Sequence, residues 1–331
     1  MDVTRQDLSE SAILACIDRH FENERPGIGL GRGDDCAIVW PSSDLCVSSD
    51  LFMEDIHFRH AYFQPDEIGH KALAVNISDL AAMAAKPLAF LLNIGLPANM
   101  EMQWLDEFFG GMSALAKDYN MSLIGGDIAA SDKLHISITA IGQKTDGCSL
   151  LRRGGIMTGD TLFLIGAIGL ARIGLMEMEA WGRKAMLQWP ESCSAHLMPR
   201  PHVNTALMLG RAGFNARPPG LMDVSDGILA DLPRLLGHER GSNLGAELVI
   251  SPSILHDEVI RHAELHEADP VLEAIRGAED YALLGACAPD MIPILKSAIP
   301  GLVPIGKIVM GGRIICNGVD ITGLKGFDHF S

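Results

Sequence analysis

Between Ala72 and Leu96 the chain is almost wholly apolar, yet Asn76, Asp79, Lys86 and Pro87 stand inside the run. Charges at mid-bilayer are costly, so the stretch has to be buried in protein rather than in lipid. Pro87 divides it. "PDEIGHKALAVNISDLAAMAA" reads as a helix opening near Pro65–Asp66, and "LAFLLNIGL" as the strand that follows. Asn76 and Asp79, three residues apart, face the same side of that helix. Burying an unpaired carboxylate costs several kcal/mol, so Asp79 has to be ion-paired, hydrogen-bonded or bound to a metal.

The rest of the chain alternates in the same way. "SESAILACIDRHF" has helical periodicity, with Ser9 or Ser11 as its cap, and a glycine-rich loop runs from Gly27 to Gly33. "CAIVW" and "LCVSSD", separated by "PSSD", read as neighbouring strands; "EMQWLDEFFGGMSALAKDY" reads as a helix, and "LIGGD" and "LHISITAIG" as strands. After Gly142 the polar, glycine-rich "QKTDGCSLLRRGGIMTGD" marks a domain boundary, and "TLFLIGAIG" opens the second half as a strand. The expectation is a mixed α/β (α+β) chain of two domains, residues 1–145 and 146–331. A length of 331 residues, 48% of them hydrophobic, suffices for two cores.

A formal net charge of −16 argues against a nucleic-acid partner. Seven scattered cysteines without a C-x-x-C pair suggest neither a disulfide framework nor a zinc knuckle, and fit a reducing cytoplasm. "MDVTRQDLSESAIL" has an early acid and no uninterrupted apolar core, so it does not read as a signal peptide. "GLVPIGKI" has the spacing of a phosphate-binding P-loop but lacks the following Ser/Thr and reads as a strand; "GIGLGRG" lacks the third glycine of a dinucleotide fingerprint. "RHAELHEAD", with His262 and His266 four apart, reads as a solvated helix face, so zinc is not indicated.

Acids are the remaining signal. "GRGDDCA", "VSSDLFMEDIHF", "NISDLAAM", "LIGGDIAAS" and "LMDVSDGILADL" each set an Asp where an apolar segment ends or polarity is out of place. Helix capping explains Asp226 by itself. It does not explain mid-helix Asp79, or Asp127 after two glycines. Such acids are hard oxygen ligands suited to Mg²⁺ ions holding a triphosphate, and a divalent cation makes adjacent Asp34 and Asp35 tolerable. Arg152 and Arg153 are the basic residues available to phosphate oxygens, against a plain reading as solvated linker. "IRGAEDYALL" puts Glu279 and Asp280 at a turn, and the tail "GLKGFDHF" carries Phe327 and Phe330, which suit stacking on a flat ring if the tail folds back.

In chain order, "GRGDDCA", "SSDLFMEDIHF", "KALAVNISDLAAM", "LIGGD", "RRGGIMTGD", "MDVSDGILADL", "GAEDYALL" and "KGFDHF" resemble the thiamine-monophosphate kinase family, from about Gly27 to Phe330. That family belongs to a wider group with aminoimidazole ribonucleotide synthetase and selenophosphate synthetase. The resemblance implies a synthetase-like fold in a homodimer whose N-terminal sheets pair across the interface. Residues 1–145 would then carry ATP, Mg²⁺ and the dimer contact, and 146–331 would complete the nucleotide and substrate site. The implied activity is phosphorylation of thiamine monophosphate to thiamine diphosphate, with ATP as co-substrate, several Mg²⁺ ions, direct in-line transfer and no protein nucleophile.

Motif by motif, the resemblance implies Asp35, Asp50, Asp79, Asp127, Asp223 and Asp226 as metal ligands, with Ser48 or Ser49 adding an oxygen. Gly126, Asp127, Arg153 and Ser225 fall at the nucleotide, and His57, Glu279 and Phe327 at the thiamine moiety; Asp34 would orient the loop. The chain departs from the family pattern at Asp55 and Ala278, where glycine is usual, at Leu170, where an Asp is usual, and at "GGDIAAS". The alternatives are another ATP-using member of the group, or a non-catalytic homologue that binds nucleotide or thiamine phosphate. A selenophosphate synthetase would want a reactive Cys in a glycine-rich segment, whereas Cys16 lies in a helical pattern. A hydrogenase-maturation relative would want a C-terminal Cys where Ser331 stands.

Overall fold

The computed structural model describes residues 8–23, 26–212 and 217–327. It divides into two compact units, one of Met1–Leu80 with Lys86–Lys144, the other of Ala81–Ala85 with Thr145–Ser331.

The first unit contains α1 (Glu10–His20), β1 (Ile28–Leu30), β2 (Ile38–Val39), β3 (Leu45–Met53), most of α2 (Pro65–Ala82), β4 (Lys86–Leu96), α3 (Met102–Asp118), β5 (Ser122–Ala130) and β6 (His135–Gln143). Four strands form one sheet in the order β3-β6-β4-β5, with β4 and β5 parallel and the other pairs antiparallel. A parallel pair needs a crossover, and α3 supplies it. β4 is an interior strand, buried along nearly its whole length, which is why its sequence does not alternate. From Ile68 to Ser78 every residue of α2 is buried, so the helix is enclosed on all sides. The small residues have a packing use: a Cβ on Gly69 would lie 2.0 Å from the Phe108 carbonyl oxygen, and one on Gly111 2.0 Å from that of Asp66. α2 and α3 therefore touch backbone to backbone.

Ser9 is the cap of α1, its hydroxyl accepting from the Ala12 N–H. The glycine-rich loop encloses a short strand, β1, and this strand pairs with β2. "CAIVW" and "LCVSSD" are therefore not neighbours, because β2 joins β1 while β3 lies against β6. "PSSD" looks like a hairpin turn but connects two sheets.

The second unit contains β7 (Thr161–Ile165), α4 (Leu170–Trp181), α5 (Pro190–Leu197), α6 (Val203–Ala212), β8 (Gly220–Val224), α7 (Ile228–Leu236), β9 (Leu244–Leu248), α8 (Asp257–Leu265), α9 (Pro270–Arg276), β10 (Ala282–Cys287), α10 (Ile292–Ala298), β11 (Leu302–Met310), β12 (Ile314–Cys316) and β13 (Val319–Asp320). Its seven-stranded sheet runs β13-β12-β9-β11-β7-β10-β8, antiparallel except for the β12–β9 pair. All six residues of β10 are buried. "GLVPIGKI" lies in β11 as expected, with Lys307 paired to Glu247 at 2.7 Å. All seven cysteines are free thiols, and no helix among the described residues is long and apolar enough to cross a membrane.

Candidate active site

In the first unit, the alternation of β3 sends Ser48 and Asp50 to one face and Ser49 to the other. Ser48 donates through Oγ to Asp79 Oδ2 on α2. Ser49 Oγ turns away, toward the Ile138 carbonyl at 3.2 Å and the Thr139 hydroxyl at 3.0 Å. Of the two serines, Ser48 is the one beside the acid. Burial, and next the charge of Asp79, pushes the Asp50 carboxyl up to about 6. Two half-buried carboxylates and a hydroxyl thus share one patch, an arrangement a cation relieves. Asn76, on the same face of α2, is 1% exposed; its amide nitrogen donates to the Ala72 carbonyl at 3.1 Å, while its Oδ1 has no hydrogen-bond partner.

Asp34 and Asp35 are exposed, and the Asp35 N–H donates to Asp34 Oδ1 at 2.8 Å, so Asp34 braces the loop that presents Asp35. Arg32 anchors that loop from behind, with Nη1 on the Leu123 carbonyl at 2.6 Å and Nη2 on the Phe21 carbonyl at 2.8 Å. Asp127 is exposed on β5, beside Asn93 in the register. β5 is the edge strand opposite β3, so Asp127 stands three strand spacings from the Asp50 patch, about 14 Å by sheet geometry. Gly126 has φ +146, and a Cβ there would fall 1.7 Å from the Leu92 carbonyl oxygen. No other residue fits that position. His57 stacks on Phe52, ring centroids 5.6 Å apart, and its Nδ1 accepts from the Met53 N–H at 3.0 Å, which leaves the proton of the neutral ring on Nε2. Asp55, where the family pattern has glycine, has φ +64 and pairs with Lys133 at 2.7 Å.

The second unit gathers five more of the expected residues at the end of β8. Asp223 is 3% exposed on β8, opposite Leu283 of β10. The Ser225 carbonyl accepts the Glu279 N–H at 2.7 Å, and the Asp226 carbonyl accepts the Phe327 N–H at 3.4 Å. The tail therefore folds back onto the loop before α7; Phe327 is half exposed there, while Phe330 lies outside the described residues. Glu279 has φ +63, and its carboxylate lies 3.3 Å from Nδ1 of the buried His196. Arg153 is exposed, on a segment tied down next door, where the Arg152 carbonyl accepts the Leu221 N–H at 3.1 Å.

Asp226 is not a helix cap: its carboxylate accepts from Arg234 Nη1 at 2.5 Å, and Gly227 holds the cap position of α7. What fixes this loop is Asp231, fully buried, which accepts the Asp226 N–H at 2.9 Å and an Arg234 hydrogen bond at 2.7 Å. Burial pushes its carboxyl up to about 6. Its signal in the sequence is an Asp three before an Arg on the otherwise apolar "ILADLPRLL". Asp280 was read only as a turn acid. Its carboxylate accepts the Gly169 and Ala171 N–H groups at 2.5 and 3.0 Å and so caps α4 from outside the helix. Burial dominates and pushes it up to about 7, against the pull of those N–H groups.

Residues 33–143 match the family described as AIR synthase related protein, N-terminal domain. The chain is 30% identical over 345 residues to a thiamine-monophosphate kinase of Synechococcus elongatus, covering 100% of this chain and 99% of that one. A crystal structure of thiamine-monophosphate kinase from Stenotrophomonas maltophilia K279a is similar at TM-score 0.76 and 31% identity, covering 94% of this chain and 97% of that one. A structure described as AaThiL complexed with AMPPCP and TMP is similar at TM-score 0.76 and 25% identity, over 99% and 100% of the two chains. The chain belongs to the thiamine-monophosphate kinase family.

Proposed function

We propose that this chain transfers the γ-phosphoryl group of ATP to the phosphate of thiamine monophosphate, giving thiamine diphosphate and ADP. The observation that carries the reading is the Ser48–Asp50–Asp79 patch, two carboxylates forced together on an apolar helix and strand in a chain of this family. A phosphate oxygen of thiamine monophosphate attacks the γ-phosphorus, and the bond from that phosphorus to the bridging oxygen of ADP breaks. No proton has to be taken from a fully ionised phosphate oxygen, so no protein base or nucleophile is required.

The donor set fits Mg²⁺: carboxylates, a hydroxyl and the buried Asn76 Oδ1 without a partner are all oxygens, and no thiol is among them. Asp50 and Asp79, with Ser48, would hold one Mg²⁺ ion, and Asp35, Asp127, Asp223 and Asp226 are proposed as ligands of further ions. Bound there, Mg²⁺ would offset charge on the phosphates. Gly126, Arg153 and Ser225 are assigned to the nucleotide, and His57, Glu279 and Phe327 to thiamine. The His57 ring is fixed through its Nδ1, and Phe327 has a half-exposed ring for a flat cation. The Met53 N–H holds the His57 ring and the Asp226 carbonyl holds the Phe327 backbone before substrate arrives, which lowers the ordering cost of binding.

Homodimerisation belongs to the same reading. β3 is an edge strand, and it exposes Leu45, Val47 and Leu51 along one face. An uncovered apolar edge is an aggregation hazard, and a second copy of the sheet would cover it. Free thiols throughout support a reducing cytoplasm. The test is an incubation with ATP, Mg²⁺ and thiamine monophosphate, following thiamine diphosphate and ADP by chromatography. Equal amounts of the two products are expected. Thiamine phosphate binding without turnover would favour the non-catalytic alternative and overturn the proposal.

A further inference from the structure

The segment "RHAELHEAD" is mostly exposed, as its composition suggests, but His262 turns inward from it. His262 on α8 is 2% exposed, and neither of its ring nitrogens has a hydrogen-bond partner. A buried polar group left unmatched costs about 1–3 kcal/mol, so something else is expected to engage it. Two groups face it. Glu177 on α4 brings Oε1 to 3.5 Å from His262 Nε2, and His266, at the C-terminal cap of α8, sets its ring at a centroid distance of 4.4 Å, tilted by 40°. One ligand atom from each of the three lies within 4.8 Å of the other two.

We propose that Glu177, His262 and His266 form a binding site for a divalent transition-metal ion such as Zn²⁺, separate from the Mg²⁺ ligands of the proposed kinase reaction. Ligand atoms around a tetrahedral zinc stand about 3.4 Å apart when the bonds are roughly 2.0–2.1 Å long. The Glu177–His262 pair already has that spacing, and His266, exposed at a helix end, closes the trio by rotation. Two imidazoles and a carboxylate suit zinc, cobalt or nickel, whereas Mg²⁺ keeps to oxygen. Three protein ligands leave the fourth position to water, on the exposed His266 side. The ion would clamp α4 to α8. A second trio, Cys16, His20 and Asp106, offers no such vacancy, because Arg19 already binds Asp106 at 2.9 Å and the Cys16 thiol donates to the same oxygen.

The buried Trp189 ring, 5.4 Å from His262, supplies a local reporter. Full-length protein is stripped with a chelator, returned to Mg²⁺ buffer and titrated with Co²⁺, reading visible d–d absorption and tryptophan fluorescence. The expected result is one ion per chain, a four-coordinate cobalt band, quenched fluorescence and displacement by Zn²⁺. His266→Ala, at an exposed position, should keep the native circular dichroism and bind at least about tenfold more weakly, as should Glu177→Gln. Trp189→Phe should keep the band and lose most of the quenching. A missing band in the wild type, a band unchanged in both ligand variants, or quenching undiminished in Trp189→Phe would each overturn the assignment.

Discussion

Asp280 shows how one side chain ties a loop to a helix. Its carboxylate lies against the α4 N-terminus, and burial holds it at about 7, well above the usual carboxylate range. A folded-state value raised above the unfolded one means that this group's contribution is fully present below about pH 4 and is lost as pH rises through about 7. Asp280→Asn keeps an acceptor oxygen and removes the titration. Thermal melts should show the variant gaining on wild type between pH 5 and pH 8, by on the order of 1–3 kcal/mol; parallel melting curves across that range would contradict the assignment. The same scale shows what was readable beforehand. Ser48 and Asp50, two apart in "LCVSSD", share a strand face by spacing alone. Which hydroxyl meets Asp79 required the position of α2, a relation no local pattern contains.

At the scale of elements, the polar interruptions of an apolar run located α2 and β4, because helix and strand periods are local properties. Strand partners are not. "CAIVW" and "LCVSSD" were paired on the strength of a four-residue polar link, whereas β3 lies against β6, some ninety residues on. The glycines of "LIGGD" were read beside the acid, and their use is backbone contact: β5 approaches β4 so closely at Gly126 that no Cβ fits. Gly126→Ala is expected to cost at least about 2 kcal/mol in denaturant unfolding, since it combines a clash with a left-handed φ. It should also displace the neighbouring Asp127. An alanine variant as stable as wild type would remove the close approach from the account.

For the whole molecule, the chain changes unit between Lys144 and Thr145, within the polar, glycine-rich stretch, and also on either side of Ala81–Ala85. The grouping of Ala81–Ala85, the end of α2 and the turn after it, with the second unit was not legible, because nothing in their composition sets them apart from the rest of the apolar run. The family was readable from the order of eight weak motifs rather than from any one of them. If the exposed β3 edge is the homodimer contact, Val47→Lys together with Leu51→Lys should yield monomer by light scattering, with the helix content retained. A dimer that survives both charges would place the contact elsewhere.

In the proposed reaction Asp79 and Asp50 stand side by side to hold Mg²⁺ for phosphoryl transfer. The most direct test of this placement is the Mg²⁺ dependence of thiamine diphosphate formation in wild type and Asp79→Asn, with thermal melts run alongside. Turnover is expected to require Mg²⁺ in wild type and to fall at least about a hundredfold in the variant, at an unchanged or higher melting temperature, since a repulsive charge is gone. Near-normal turnover by Asp79→Asn, with the same Mg²⁺ dependence, would contradict it.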